Sequence, residues 1–150
     1  MQTRKQVTVF LENKPGRLAL VLSTLAQDKI NIVALSVMDR HEYGVLRIVT
    51  EDEAAPLKTL QAMNAHITET DVLAVELKNQ PGALANLCER LAEEHIGIDY
   101  AYCSSGGRNG KVFGIFKVAN VEKARKVLSE PHNNKRPEGR PVRDQRVYKR

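Results

Sequence analysis

Two short segments of the sequence carry residue types that could bind an anionic group. Each reads Asn-x-Pro-Gly, at residues 13–16 and at residues 79–82, between a strand-like and a helix-like stretch. A Pro-Gly turn at that place exposes backbone N–H groups at the start of the helix, where the helix dipole favours an anion. The amide oxygen of Asn13 or Asn79 can accept a hydrogen bond from an ammonium group. We therefore expect both turns to bind a small molecule that carries a carboxylate.

No other set of residues has the spacing of a catalytic or metal site. The four histidines are His41, His66, His95 and His132. None has a second histidine or cysteine three or four residues away, so no metal site is expected. Cys103 has no spacing-matched partner that would make its thiol a nucleophile, and we expect it to lie inside a strand. The glycine-rich residues 106–110 join two strands, whereas phosphate loops lead into a helix. We expect neither catalysis nor a bound cofactor.

The two turns belong to an internal repeat. Residues 9–19 and 75–85 are identical at seven of eleven positions, with an offset of 66. Extending the comparison to residues 32 and 98 gives eleven identities in 24 positions. Such self-similarity indicates a duplicated structural unit.

Hydrophobic periodicity predicts the same elements in both copies. Val7, Val9 and Leu11 alternate as in a half-buried strand, and a helical face at i, i+3, i+4 and i+7 follows. Two strands joined by a hairpin, one residue longer in the second copy, precede another helix, and residues 65–70 supply a fourth strand. This order predicts an α+β fold, with two ferredoxin-like βαββαβ sandwiches in tandem, antiparallel sheets and both helices on one face. The predicted domains are 1–71 and 72–150, the second with a core at 72–128 and a basic extension at 129–150.

Composition limits the class of protein. Apolar residues make up 42% and charged residues 27%, and no apolar run reaches the roughly 18 residues that cross a membrane. Two cysteines are too few for a disulfide framework, which favours a reducing, cytoplasmic compartment. The formal net charge is +5, and residues 129–150, with seven basic and three acidic residues, carry +4 of it. This tail is either solvated or contacts an acidic partner or nucleic acid, and residues 141–148 are either a closing strand or disordered.

The repeated segment resembles the ACT domain, a small regulatory module attached to many enzymes of amino-acid metabolism. Residues 11–18 and 77–84 carry the resemblance, and residues 29–32 and 95–98 fit it as well. It covers about residues 6–128. In similar ACT domains the start of the second strand helps to line the pocket across an interface. That position is Asn31 in the first copy and Gly97 in the second, so the resemblance implies two unequal sites, with the first copy as the principal one.

The expected ligand-binding residues come from both copies. They are Leu11, Asn13, Pro15, Gly16, Arg17, Leu18, Asn31, Ile32, Asn79, Gly82, Ala83, Leu84, Gly97 and Ile98.

The resemblance implies a stand-alone regulatory protein that binds a free amino acid or a similar small carboxylate. We expect a homodimer that transmits ligand occupancy to a partner, such as an enzyme on another chain. Two alternatives stay open: a regulatory small subunit of an amino-acid biosynthetic enzyme such as acetolactate synthase, and a nucleic-acid-associated protein that uses the basic tail. Nucleic acid is the less favoured partner, because the tail has few aromatic residues and no known binding motif.

Overall fold

The computed structural model describes residues 1–40, 43–107 and 111–131. The described residues form six strands and four helices, in the order strand, helix, strand, strand, helix for each copy of the repeat. They are β1 (Gln2–Glu12), α1 (Arg17–Gln27), β2 (Ile32–Arg40), β3 (Tyr43–Thr50), α2 (Ala55–Ala62), β4 (His66–Lys78), α3 (Ala83–Glu93), β5 (Ile98–Gly107), β6 (Lys111–Val118) and α4 (Val121–Ser129).

One antiparallel sheet joins the two copies, with the strand order β2-β3-β1-β4-β6-β5. The α+β prediction of antiparallel ferredoxin-like units is therefore confirmed. The two central strands each serve both copies. β1 pairs with β3 over residues 7–12 and with β4 over residues 2–10, while β4 pairs with β6 over residues 73–78. Thus β1 and β4 each provide the first strand of one unit and the closing strand of the other.

The pairing of β1 with β4 has an approximate twofold symmetry. Val7 of β1 pairs with Glu69 of β4. The repeat offset of 66 relates Val7 to Leu73 and Glu69 to Thr3, and Leu73 and Thr3 also pair with each other. The pair of Lys5 and Asp71 is converted into itself, so the symmetry axis passes between these residues. Lys5 Nζ lies 2.7 Å from an Asp71 carboxylate oxygen, and this exposed ion pair lies on the symmetry axis.

The predicted closing strand at residues 141–148 lies outside the described residues. The edge of β4 that such a strand would occupy is already paired, over residues 70–74, with residues 2–6 of β1. The first residues of the chain thus complete the sheet of the second unit. This pairing was missed in the sequence because a strand that closes a unit sixty residues later leaves no local pattern.

All four helices cover one face of the sheet. Val9 lies opposite Ile67 of β4, and both contact α1 and α2. Because side chains alternate along a strand, Leu73 and Val75 lie on the same side of β4 as Ile67, and they pack against α3 and α4. The first core comprises Val7, Val9, Val21, Leu25, Leu46, Ile48 and Leu60, and the second comprises Leu73, Val75, Leu87, Leu91, Ile96, Phe116, Val118 and Ala124.

The helix-free face curls on itself, and Cα atoms of the edge strands β2 and β5 come within 8 Å of each other. It encloses a small apolar cluster of Ala34, Val49, Val72, Ala74 and Ile115. A polar group continues this interior. Gln6 is fully buried, its Nε2 donates to Tyr100 Oη at 2.8 Å and to Thr8 Oγ1 at 3.1 Å, and Tyr102 Oη donates to Gln6 Oε1 at 3.0 Å. These bonds connect β1 to β5 across the inside of the sheet.

Two sequence expectations need correction. The equivalent residues Val7 and Leu73 pair with Ile48 and Phe116, which are 68 positions apart. Because the offset before the hairpin is 66, the second hairpin is two residues longer than the first, not one as predicted. A register shift between Ser104 and Gly107 accommodates the extra length.

Cys103 lies on β5, but its side chain is exposed, because that strand is at the sheet edge. In the described part of the chain, no helix is long and apolar enough to span a membrane.

Candidate ligand-binding site

The two Asn-x-Pro-Gly turns form nearly identical corners between a strand and a helix. Gly16 has φ of 86° before α1, and Gly82 has φ of 84° before α3. A Cβ atom at either glycine would meet nothing within 4 Å. Glycine is therefore required for its left-handed backbone rather than for space, since other residues are strained at positive φ.

The first N–H group of α1 and of α3 donates to the turn before the helix, from Arg17 N to the Lys14 carbonyl and from Ala83 N to the Gln80 carbonyl, both at 3.3 Å. Their cap residues, Gly16 and Gly82, have no side chain that could accept a hydrogen bond from the helix. By contrast, α4 is capped by Asn120, whose side-chain oxygen accepts a hydrogen bond from Lys123 N at 2.9 Å. The N–H groups that follow in the first turn lie at the positive end of the helix dipole, where an anion is favoured.

The other end of each helix sets the position of Asn31 and Gly97. Lys29 has φ of 58° and His95 has φ of 55°. The next N–H, of Ile30 or Ile96, donates 2.9 Å back to the carbonyl of Leu25 or Leu91. This left-handed helix ending reverses the chain and leads directly into β2 or β5.

The sheet places these predicted residues at opposite ends. β1 and β2 run parallel, because both are antiparallel to β3. Asn31, directly before β2, therefore lies at the end of the sheet where β1 begins, and the 13–16 corner lies at the opposite end. β4 is antiparallel to β1, which puts the 79–82 corner at the same end as Asn31, and Gly97 at the same end as the 13–16 corner. Within one chain, each corner therefore shares an end of the sheet with the second-strand start of the other unit.

A cavity of about 350 Å³ opens at the end that contains Asn31. Its polar lining consists of Gln2, Arg4, Asn31, Glu51 and Ser104, and its apolar lining of Ile32, Val33, Val49, Ala74 and Phe113. Val49 and Ala74 also belong to the interior cluster of the helix-free face. The cavity is thus an opening into that interior, with charged groups among its lining.

Arg4 is held in place at this cavity by neighbouring groups. Its Nη1 donates to the carbonyl oxygen of Glu51 at 3.0 Å, and Glu51 N donates to the carbonyl oxygen of Asn31 at 3.1 Å. A Glu53 carboxylate oxygen lies 4.0 Å from Arg4 Nη1. Residues from β1, the start of β2 and the end of β3 are thereby linked around one opening.

Comparison with known proteins identifies the family. A family model described as an ACT domain pair matches residues 2–135. The chain belongs to the ACT family. Protein BT0572 from Bacteroides thetaiotaomicron has a similar structure, with a TM-score of 0.78 and 33% identity over 85% of this chain and 87% of that one.

More distant structures share the fold. The regulatory subunit of aspartate kinase from Thermus thermophilus has a TM-score of 0.63 at 13% identity, covering 86% of this chain and 94% of that one. The corresponding subunit from Thermus flavus has a TM-score of 0.60 at 16% identity, covering 86% and 90%. No curated protein matches the chain in sequence.

The two ACT units differ in charge at their corners. In the first, Glu12 accepts hydrogen bonds from Lys14 at 2.9 Å and Arg17 at 3.2 Å. Hydrogen bonds from these two cations hold the pKa of the Glu12 carboxyl below its usual range. The corresponding residues of the second unit are Lys78, Gln80 and Ala83, which cannot form this cluster. A ligand carboxylate at the first corner would meet Arg17 already paired.

Of the ten residues that line the cavity, the sequence predicted only Asn31 and Ile32, and both charged residues were missed. Arg4 and Glu51 lie outside the repeated motifs, and a single Arg or Glu at a strand end has no distinctive spacing. A partial signal was present in the alternating pattern of β1. Arg4, Gln6 and Thr8 share one face of this strand, and such a polar face is also typical of a strand exposed to solvent. In the described residues, no group of three or more metal-binding side chains could hold a metal ion.

Proposed function

We propose that this ACT protein is a non-catalytic regulator that binds a free amino acid and passes the occupancy of its site to a partner protein. The observation that carries the proposal is the pair of equivalent helix N-termini that begin directly after left-handed Gly16 and Gly82. Each offers N–H donors to a carboxylate, and Asn13 or Asn79 can accept from its ammonium group. The fourteen residues predicted from the sequence are the proposed ligand contacts.

The kind of partner follows from the relatives. The two Thermus structures are regulatory subunits of aspartate kinase. By analogy, we propose an enzyme of amino-acid metabolism as the regulated partner. A ligand can shift the activity of that enzyme only by the difference in its affinity for two arrangements of the complex.

A homodimer is part of this proposal, and the first unit offers a surface for it. Leu35 is 43% exposed and Val37 is 47% exposed on edge strand β2, on the same side as the helices. Their counterparts in the second unit, Ala101 and Cys103, are also exposed but smaller. Exposed apolar side chains on an edge strand suit contact with an identical copy in a twofold dimer.

The dimer can be tested by light scattering after size exclusion. Replacing both Leu35 and Val37 by serine should convert the dimer to a monomer. The matched control carries Ala101→Ser and Cys103→Ser and should remain dimeric. Equal masses for the two variants would contradict this dimer surface.

Amino-acid binding can be tested by a thermal-shift screen against the twenty amino acids, since a ligand that binds only the folded state raises its stability. The absence of a shift with every amino acid would refute the proposed function. Gly16→Val and Gly82→Val then test the two corners separately, because a β-branched residue disfavours positive φ. Each variant serves as the control for the other, as the strain introduced is the same.

A further inference from the structure

The cavity beside Arg4 has the size and chemistry of a small-molecule site. Its volume of about 350 Å³ is at the lower end of the range for ligand pockets, roughly 300 to 1,000 Å³. It opens on the helix-free face, whereas both helix N-termini lie at the ends of the helical layer. It therefore lies apart from the two Asn-x-Pro-Gly corners, although Asn31 and Ile32 both line it and belong to the fourteen proposed contacts.

The guanidinium of Arg4 already holds an oxygen acceptor in a forked geometry. With its amide oxygen facing Arg4, Gln2 accepts hydrogen bonds from Nε at 2.8 Å and from Nη2 at 2.9 Å. A carboxylate matches such a fork with two oxygens and forms stronger, charge-assisted bonds than a neutral amide does. Because the Gln2 side chain is exposed, a ligand carboxylate can displace it at low cost.

The remaining lining provides a cationic and an apolar subsite. The exposed carboxylate of Glu51 can accept from an ammonium group, and its backbone is fixed to both Arg4 and Asn31. Val33, Val49 and Phe113 provide an apolar wall. An arginine, a carboxylate and an apolar wall around one opening match the three parts of an α-amino acid.

The internal symmetry provides a comparison site without these groups. The positions equivalent to Arg4 and Asn31, at an offset of 66, are Thr70 and Gly97. The position equivalent to Glu51, at the structural offset of 68, is Ala119. These equivalent positions therefore provide neither the fork nor the carboxylate.

We propose that this cavity binds a zwitterionic α-amino acid with an apolar side chain. The carboxylate binds Arg4 in place of the Gln2 amide, the ammonium binds Glu51, and the side chain contacts Val33, Val49 and Phe113. The ligand class rests on the proposed function, but the position of the site does not.

The test uses the full chain, with L-valine, L-leucine and L-isoleucine as probes in calorimetry and methyl NMR. Binding should shift the methyl signals of Val33, Val49 and Ala74. Arg4→Gln should weaken binding by about tenfold or more, as expected for the loss of a charge-assisted pair. Gln2→Ala should tighten binding, because it removes the competing amide. Thr70→Ala, at the equivalent position, should leave the affinity unchanged.

Two further measurements guard against a folding defect in Arg4→Gln. Glu51→Ala reproduces the equivalent residue Ala119 at an exposed position, and it should weaken L-leucine binding without lowering the melting temperature. Isovalerate and isopentylamine, which each lack one charge, should bind more weakly than L-leucine.

The outcomes separate this proposal from the general one. If amino acids bind but shift the methyl signals of Leu18 or Leu84 instead, and if Arg4→Gln binds as well as wild type, the cavity site is refuted while amino-acid binding stands. If none of the twenty amino acids binds, both proposals fail.

Discussion

The two ACT units have the same scaffold but different chemistry around it. Gly16 and Gly82 differ by 2° in φ, and Lys29 and His95 by 3°. The charged residues near the proposed ligand positions differ throughout, since Arg4, Glu12 and Glu51 in the first unit correspond to Thr70, Lys78 and Ala119 in the second. The backbone geometry of the corners is therefore the same in both units, whereas the side chains at the sheet ends differ.

The comparison also shows that the units are not equally complete. The first unit has its own closing strand in residues 66–70, whereas the second borrows residues 2–6 from the start of the chain. We therefore expect residues 66–150 alone not to fold, and residues 1–78 alone to retain their sheet. Circular dichroism with urea titration of the two fragments measures this largest effect. A cooperative unfolding transition for residues 66–150 would show that the borrowed strand is dispensable.

Shared central strands predict that the full chain unfolds as one cooperative unit. Leu25 and Leu91 occupy equivalent helix positions and are 1% and 0% exposed. Truncation of either to alanine should lower the free energy of unfolding by about 2–5 kcal/mol, the usual cost of a cavity in a core. Urea denaturation should give one transition in both variants, displaced by similar amounts. Two separate transitions, only one of which moves, would indicate independent units.

Much of this architecture was readable from the sequence, for a local reason. The 11 identities, the period-2 strands and the i, i+3, i+4, i+7 helix faces each depend on neighbouring residues, and the predicted fold class is correct. The residues at the cavity could not be found this way. Arg4, Asn31 and Glu51 come together only because β1, β2 and β3 pair in a particular register, which no local pattern encodes.

The helix-free interior separates the two units further. Gln6, with its tyrosine partners, corresponds to the buried Val72 of the second unit. Gln6→Val copies the second unit into the first, and it should destabilise the protein by about 1–3 kcal/mol, because Tyr100 and Tyr102 lose their partner. Adding Tyr100→Phe and Tyr102→Phe should recover part of that loss in urea denaturation. If the single variant were as stable as wild type, water would have to reach this interior.

The same interior predicts a pH dependence at high pH. Burial, followed by the neighbouring charge of Tyr100, raises the pKa of the Tyr102 phenol above its ordinary value of 10.0. The folded state therefore holds this proton more tightly than the unfolded state. The stabilisation is complete below about pH 10 and is lost as the pH rises beyond it. Tyr102→Phe should flatten this decline relative to wild type in urea titrations between pH 9 and about pH 11.5, and parallel curves would contradict the assignment.

The smallest expected effect tests the point at which the units are most alike. Lys29 and His95 are both exposed and both left-handed, and a non-glycine residue there costs about 1–2 kcal/mol. Lys29→Gly and His95→Gly should each raise the free energy of unfolding, but by less than about 1 kcal/mol, because glycine also gains entropy in the unfolded chain. Equal gains would mean that the two helix endings differ only in side-chain identity. If one variant gains stability and the other loses it, the side chain replaced in the less stable variant makes a stabilising contact. The two units would then differ in energy although their backbones are equivalent.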